Sequence, residues 1–146
     1  MKAENKYSNS DNAKIQEVEF ALVLERHWYF QAVVVKDASF NAYDLLAIKS
    51  DWTIHTFELK HSIDERKFPI FVTWLNKLVW ITTTRAEFWI VETPTKYLFF
   101  KTQDLKNLLN DNNLPFKENI WVHWQNRWYE IYDKLFNKIL LKTINK

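Results

Sequence analysis

The chain has 146 residues, a formal net charge of +2, 47% hydrophobic and 26% charged residues, eight tryptophans, no glycine and no cysteine. That length suits one domain with a real core. Missing glycine excludes a phosphate-cradling P-loop, a dinucleotide GxGxxG, a GxSxG nucleophile elbow and a standard EF-hand, and missing cysteine excludes a disulfide framework, a thiolate zinc site and a cysteine nucleophile.

With so small a net charge, binding to a polyanion has to come from local patches. Lys, Asn, Ile and Phe abound while Gly is absent, a composition that suits AT-rich coding and leads us to expect a phage or other viral source. Asn and Asp, next best after Gly for left-handed backbone, are expected to serve the tight turns. "MKAENKYSNSDNAK" lacks the apolar stretch of a signal peptide, and no run reaches the ~18 apolar residues of a membrane span. A cytoplasmic location is expected, in an infected host cell if the source is viral.

Residues 1–10 read as a polar, frayed tail. Ser10 or Asp11 can cap a helix running to about Arg26. "YFQAVVVK", residues 29–36, is β-branched and aromatic and reads as a strand. "AYDLLAIK" and "WTIHTFELK" read as a hairpin around Ser50 and Asp51. After the charged loop "HSIDERK" comes the strand "FPIFVTW", with Pro69 near its start, where a missing donor is tolerable. "TTTRAE" reads as a short helical turn, "FWIVET" and "KYLFFK" as strands, and "TQDLKNLL" as a helix capped by Thr102.

"NDNNLP", residues 110–115, is the best boundary, separating a core at 11–110 from an extension at 111–146. Trp128, Ile131, Tyr132, Leu135, Phe136, Ile139 and Leu140 recur at helical spacing, which predicts an amphipathic helix over 126–142. So long an apolar stripe is expected to cover the core or to bury itself against a second copy in a homodimer. The fold class expected is α/β with a mixed sheet and an appended C-terminal helix.

Asp44, Glu58 and Lys60 stand out because charged groups on buried strands are costly unless paired, metal-bound or solvated. Glu58 and Lys60 share a face of their strand, while Phe57 and Leu59 point to the core. Asp44 joins Glu58 when residue numbers across the hairpin sum to 102, pairing Lys49 with Thr53 around a three-residue loop or an equivalent bulge. A plain two-residue loop sends Asp44 to the other face. Two readings stand side by side: a cross-strand ion-pair cluster on a half-exposed sheet, or a site. As a site, two carboxylates without Cys or ligand-spaced His favour a hard cation, Mg²⁺ or Mn²⁺, and hydrolysis of a phosphodiester, with the lysine stabilising developing charge.

An Asp on one strand and Glu-Leu-Lys on the next, after a helix bearing Glu17 and Glu19, resembles the PD-(D/E)xK nuclease superfamily, which includes restriction enzymes and Holliday-junction resolvases. The likeness spans roughly residues 11–110, since the order of elements also fits that group's restriction-endonuclease-like αβββαβ core. "ITTTRAEFWIVETPTKYLFFKTQDLKNLL" is similar to the tail of small phage-type members. The resemblance implies a Mg²⁺-dependent endonuclease or exonuclease (Mn²⁺ substituting) acting on DNA, with Asp44 and Glu58 as metal ligands and Lys60 as the catalytic lysine. A helix-borne Glu, with Glu17 favoured over Glu19, assists the metal in some members. The competing class is a non-catalytic nucleic-acid-binding or protein-interaction module of the same fold.

His61 sits beside this site as a candidate phosphate contact, and Lys67, Lys77, Arg85 and Lys101 can track a nucleic-acid backbone, against the alternative of a solvated surface. Trp121 and Trp124, near His123 and Arg127, are candidates for exposed, base-stacking aromatics; most other tryptophans read as core.

Overall fold

The computed structural model describes residues 9–35, 42–74, 77–78, 81, 83–111, 114, 117–121 and 124–146. The chain opens with α1 (Asn9–His27), followed by β1 (Gln31–Val34), β2 (Leu45–Ile48) and β3 (Ile54–His61). Next come β4 (Lys67–Trp74), β5 (Lys77–Leu78), β6 (Phe88–Glu92), β7 (Lys96–Lys101) and α2 (Thr102–Asp111). The remainder is β8 (Lys117–Trp121), β9 (Trp124–Tyr132), α3 (Asp133–Phe136) and β10 (Leu140–Asn145). The class is mixed α/β, with three helices among the described residues.

The strands form two sheets rather than one. A six-stranded sheet runs β1-β2-β3-β6-β7-β10, and a four-stranded sheet runs β5-β4-β9-β8. In the larger sheet only β3 and β6 are parallel; every other pair is antiparallel. The crossover between those two parallel strands carries β4 and β5 and, among the described residues, no α-helix. "TTTRAE" is irregular where it is described: Arg85 N–H donates to the Ala42 carbonyl, Glu87 N–H to Thr56 Oγ1 and Ala86 N–H to Thr84 Oγ1, in place of a helical ladder.

Strict alternation divides the apolar side chains between two cores. Phe20 and Leu24 of α1 pack on Leu45, Phe57, Leu59, Ile90, Tyr97 and Phe99. On the opposite face of the same strands, Trp89, Val91, Leu98 and Phe100 meet Phe68 and Ile70 of β4, Ile131 of β9, Phe136 of α3 and the inner face of α2. The strands β6 and β7 are thus buried on both faces, which explains their near-continuous apolar runs. Pro69 lies on β4 where the strand pairs only with β9, so its missing N–H leaves no ladder bond open.

Three expectations are corrected. The helix over 126–142 does not form: residues 124–132 are a strand paired with β4 and β8, a single helical turn follows, and β10 returns to the edge of the large sheet beside β7. Trp, Tyr and Ile suit a pleated surface, and pairing along nine residues outweighs the local period of 3.6. The stripe expected to cover the core or a second copy is therefore divided among β9, α3 and β10. Helix α1 already includes Asn9, the first described residue, so Ser10 and Asp11 lie within the helix rather than capping it. Finally, among the described residues the positive φ falls on Trp52, at 70°, not on an Asn or Asp.

That last departure follows from the hairpin register. Leu45 faces Phe57 and Ile48 faces Ile54, so paired numbers sum to 102. Lys49 N–H donates to Thr53 C=O and Trp52 N–H to Lys49 C=O, which closes a three-residue loop. Such a loop needs left-handed backbone at its third position, and this glycine-free chain fills it with an exposed tryptophan.

Candidate functional site

Strand β2 starts at Leu45, whereas β3 continues to His61, so the last residues of β3 lie past the end of their hairpin partner. Asp44 sits at that step. Its N–H still donates to Phe57 C=O at 2.9 Å, and its Oδ2 accepts from Leu59 N–H at 2.8 Å, where the next ladder bond would be. The preceding Ala42 has turned away, and its carbonyl accepts from Arg85 N–H at 2.7 Å. A cavity of about 570 Å³ opens here, lined by Asn12, Ala13, Gln16 and Glu17 of α1 with Asp44, Leu59, Lys60 and His61.

Glu58 is buried next to this cavity. Lys60 Nζ stands 3.1 Å from its Oε2, and Thr84 Oγ1 donates to its Oε1 at 3.1 Å. Burial, above all, pushes Glu58 up to about 7; Lys60 pulls the other way, and Asp44 adds to the rise through its charge and a hydrogen bond. Lys60 also lies 5.9 Å from the centroid of the Trp89 ring, on the face of the sheet that carries Glu58.

On the helix side, Glu17 is buried and its carboxyl is raised by burial, with Asp44 contributing in the same direction against the opposing Lys14. Lys14 Nζ bridges Glu17 Oε1 at 3.0 Å and the Val35 carbonyl at 2.7 Å, tying α1 to the end of β1. Glu19 is exposed and lies near Tyr97. Of the two helix acids, Glu17 is the one that reaches the cavity.

Asp44, Lys60, Glu17 and His61 therefore line one cavity, and Glu58 is joined to them through Lys60 and Asp44. The other proposed contacts are more scattered. Lys67 lines a neighbouring cavity of about 400 Å³ that shares His61 and includes Phe71 and Trp128; its Nζ is 3.8 Å from Glu130. Arg85 is exposed and joined to the site's edge through its backbone bond to Ala42. Lys101 stands at the far end of β7, two strands from β3 and level with Phe57. The side chains of Lys77, Trp121 and Trp124, and all of His123, lie outside the described residues.

Sequence reasoning missed Lys14, Thr84 and Glu92. Lys14 was detectable as the residue three before Glu17 on the same helical face. Thr84 gave no signal, since it acts from an irregular link. Glu92 is found only once β6 is known to run parallel to β3, which puts it level with His61.

Among the described residues no group of three or more His, Asp or Glu is spaced to hold a metal ion. The donor chemistry nonetheless suits one: Asp44 and Glu58 are neighbouring carboxylates, and a hard divalent cation between them would favour the ionised form that burial of Glu58 disfavours. No family model matches the chain, and neither does any curated protein or solved structure. No described helix is long and apolar enough to cross a membrane.

Proposed function

We propose that this chain is a metal-dependent nuclease of the PD-(D/E)xK kind, hydrolysing phosphodiester bonds of DNA. The observation that carries the reading is the hairpin register, which sets Asp44 against Glu58 and Lys60 at one cavity faced by Glu17. A helix, a three-stranded antiparallel meander and a strand parallel to β3 support the reading, while the second helix of the αβββαβ order is absent from the crossover among the described residues.

Asp44 and Glu58, with Glu17 beside them, would hold Mg²⁺ or Mn²⁺. Bound there, such an ion supplies Lewis-acid polarisation of a phosphoryl oxygen and lowers the pKa of a water. Lys60 neutralises Glu58 and, placed at the cavity wall, stabilises charge developing on the phosphoryl oxygens. Thr84 fixes the orientation of the Glu58 carboxyl, and Asp44 is fixed by the Leu59 N–H.

A second reading, a nucleic-acid-binding module without cleavage, is favoured by the way these carboxylates are engaged: Glu58 with Lys60 and Thr84, Glu17 with Lys14, and Asp44 with backbone. One experiment separates the two. Supercoiled, linear, single-stranded and four-way-junction DNA, and RNA, are incubated with the protein in Mg²⁺, Mn²⁺ or EDTA. Wild type is expected to cut in metal and not in EDTA. Asp44→Asn and Lys60→Met should lose about 10²-fold or more in rate while still binding DNA in a salt-dependent way. Tight binding with no cutting in any metal favours the module; cutting that persists in both variants places the chemistry elsewhere.

A further inference from the structure

Glu92 ends β6 with its side chain buried, and the hydrolysis described so far does not use it. Its register partner on β3 is His61, whose Nδ1 lies 3.2 Å from Glu92 Oε1. The second oxygen, Oε2, accepts from Lys146 Nζ at 2.6 Å. Burial pushes the Glu92 carboxyl up, but the bonds and charges of His61 and Lys146 outweigh it and hold it below its ordinary value. It is an anion at neutral pH.

The Oε1 atom is buried and, as placed, makes no hydrogen bond among the described residues, while His61 Nδ1 stands 3.2 Å away as a donor within reach. A buried carboxylate oxygen left without a donor is costly. The contact is satisfied only when the ring carries its proton on Nδ1, so Glu92 sets both the tautomer and the orientation of the ring. The remaining nitrogen, Nε2, is then left for the cavity that His61 lines together with Glu17, Asp44 and Lys60. The charged groups around the ring are Glu92 from β6, with Lys146 on its other oxygen, Lys60 on its own strand, Asp44 and Glu17 across one cavity, and Asp64, Lys67 and Glu130 in the neighbouring one.

From this juxtaposition we propose that His61, oriented by Glu92, is the proton donor to the leaving oxygen in the phosphodiester hydrolysis put forward above, on which this inference rests. The water oxygen bonds to phosphorus as the bond from phosphorus to the leaving sugar oxygen breaks. The ring enters the step protonated on both nitrogens, with Nδ1–H held toward Glu92. Its Nε2 proton passes to that sugar oxygen and leaves the neutral Nδ1–H ring, the attacking water releases its own proton to solvent, and Nε2 is reprotonated from solvent. Glu92 acts through His61 and is a positioning residue.

The test uses two oligonucleotides in Mn²⁺, one natural and one with sulfur in place of the bridging leaving oxygen. A thiolate departs without needing a proton. His61→Ala should cut the natural substrate about 10²-fold or more slowly, yet cut the sulfur substrate within a few-fold of wild type. The His61 side chain is 37% exposed, so the variant should fold. Independently of activity, ¹⁵N spectra should show the neutral ring of wild type protonated at Nδ1, with that preference lost in Glu92→Leu and largely kept in Glu92→Gln. Equal slowing on both substrates, no slowing on the natural one, or a wild-type ring protonated at Nε2 would overturn the proposal. If wild type cuts neither substrate, the hydrolysis reading itself falls and takes this inference with it.

Discussion

Glu58→Gln tests whether the site is built at the expense of stability. Burial raises the folded-state Glu58 carboxyl from an ordinary 4.5 to about 7, with the opposing pull of Lys60 already included. Below pH 4.5 the group is protonated folded and unfolded, and it has no effect on stability. Between about 4.5 and about 7 the unfolded chain has lost the proton and the folded chain keeps it, so stability falls as pH rises. Above about 7 the penalty is complete, at roughly 3 kcal/mol. Glutamine imitates the protonated carboxyl and keeps an acceptor for Thr84, while Lys60, with 21% of its side chain exposed, stays solvated. The variant should therefore lie within about 1 kcal/mol of wild type near pH 5 and exceed it by roughly 3 kcal/mol at pH 8, read from urea unfolding at pH 5, 6, 7 and 8. Mg²⁺ should narrow that gap by stabilising wild type more than the variant, as a ligand of the folded state does. A variant less stable than wild type at pH 8, or a gap independent of pH, refutes the reasoning.

Thr84→Val removes the donor to Glu58 and the acceptor of Ala86 N–H, and should cost about 1–2 kcal/mol in denaturant unfolding, with Thr84→Ser near wild type. Trp52→Gly relieves a left-handed backbone at an exposed position and should stabilise by up to about 1 kcal/mol, whereas Trp52→Val should destabilise by about 1 kcal/mol or more; equal stabilities would remove the strain argument. Phe136→Ala, between Phe68 at 5.4 Å and Phe100 at 6.0 Å, should cost about 3–5 kcal/mol, and a loss under 1 kcal/mol would mean α3 is not docked as described.

The C-terminal third shows where a local pattern fails. Ile131, Phe136 and Ile144 are all buried, but not against one surface: the first two enter the core shared with β4 and α2, and Ile144 enters the core beneath α1. The chain crosses from the small sheet to the edge of the large one between them. Helical spacing records that these residues are apolar at intervals of three and four; it cannot record that their neighbours change along the way. What set the outcome was pairing with β4, more than fifty residues earlier, and with β7. Such partners have no trace in the window of residues that periodicity reads. Up to α2, by contrast, β1 to β4, β6 and β7 were legible as apolar or alternating runs between polar turns, while β5 and the irregular link at 83–87 were not.

The register of the hairpin was legible for a chemical reason. Placing Phe57 and Leu59 in the core fixes the face of Glu58 and Lys60, and the demand that Asp44 join them fixes a sum of 102 and hence the loop length. A two-residue turn, which needs left-handed backbone as well, would have turned Asp44 to the opposite face. The burial of Glu58 is the cost of this arrangement. An ion pair serving stability alone does not require it, since a surface pair between Glu and Lys contributes at most about 1 kcal/mol. Asp44 can be read as the acceptor that ends β2, and Lys60 as the partner of Glu58. Neither role calls for a third carboxylate on α1, held above its ordinary range by burial and by Asp44, at the same cavity. The convergence of Glu17 from a separate element is what weighs the cluster toward chemistry rather than scaffolding.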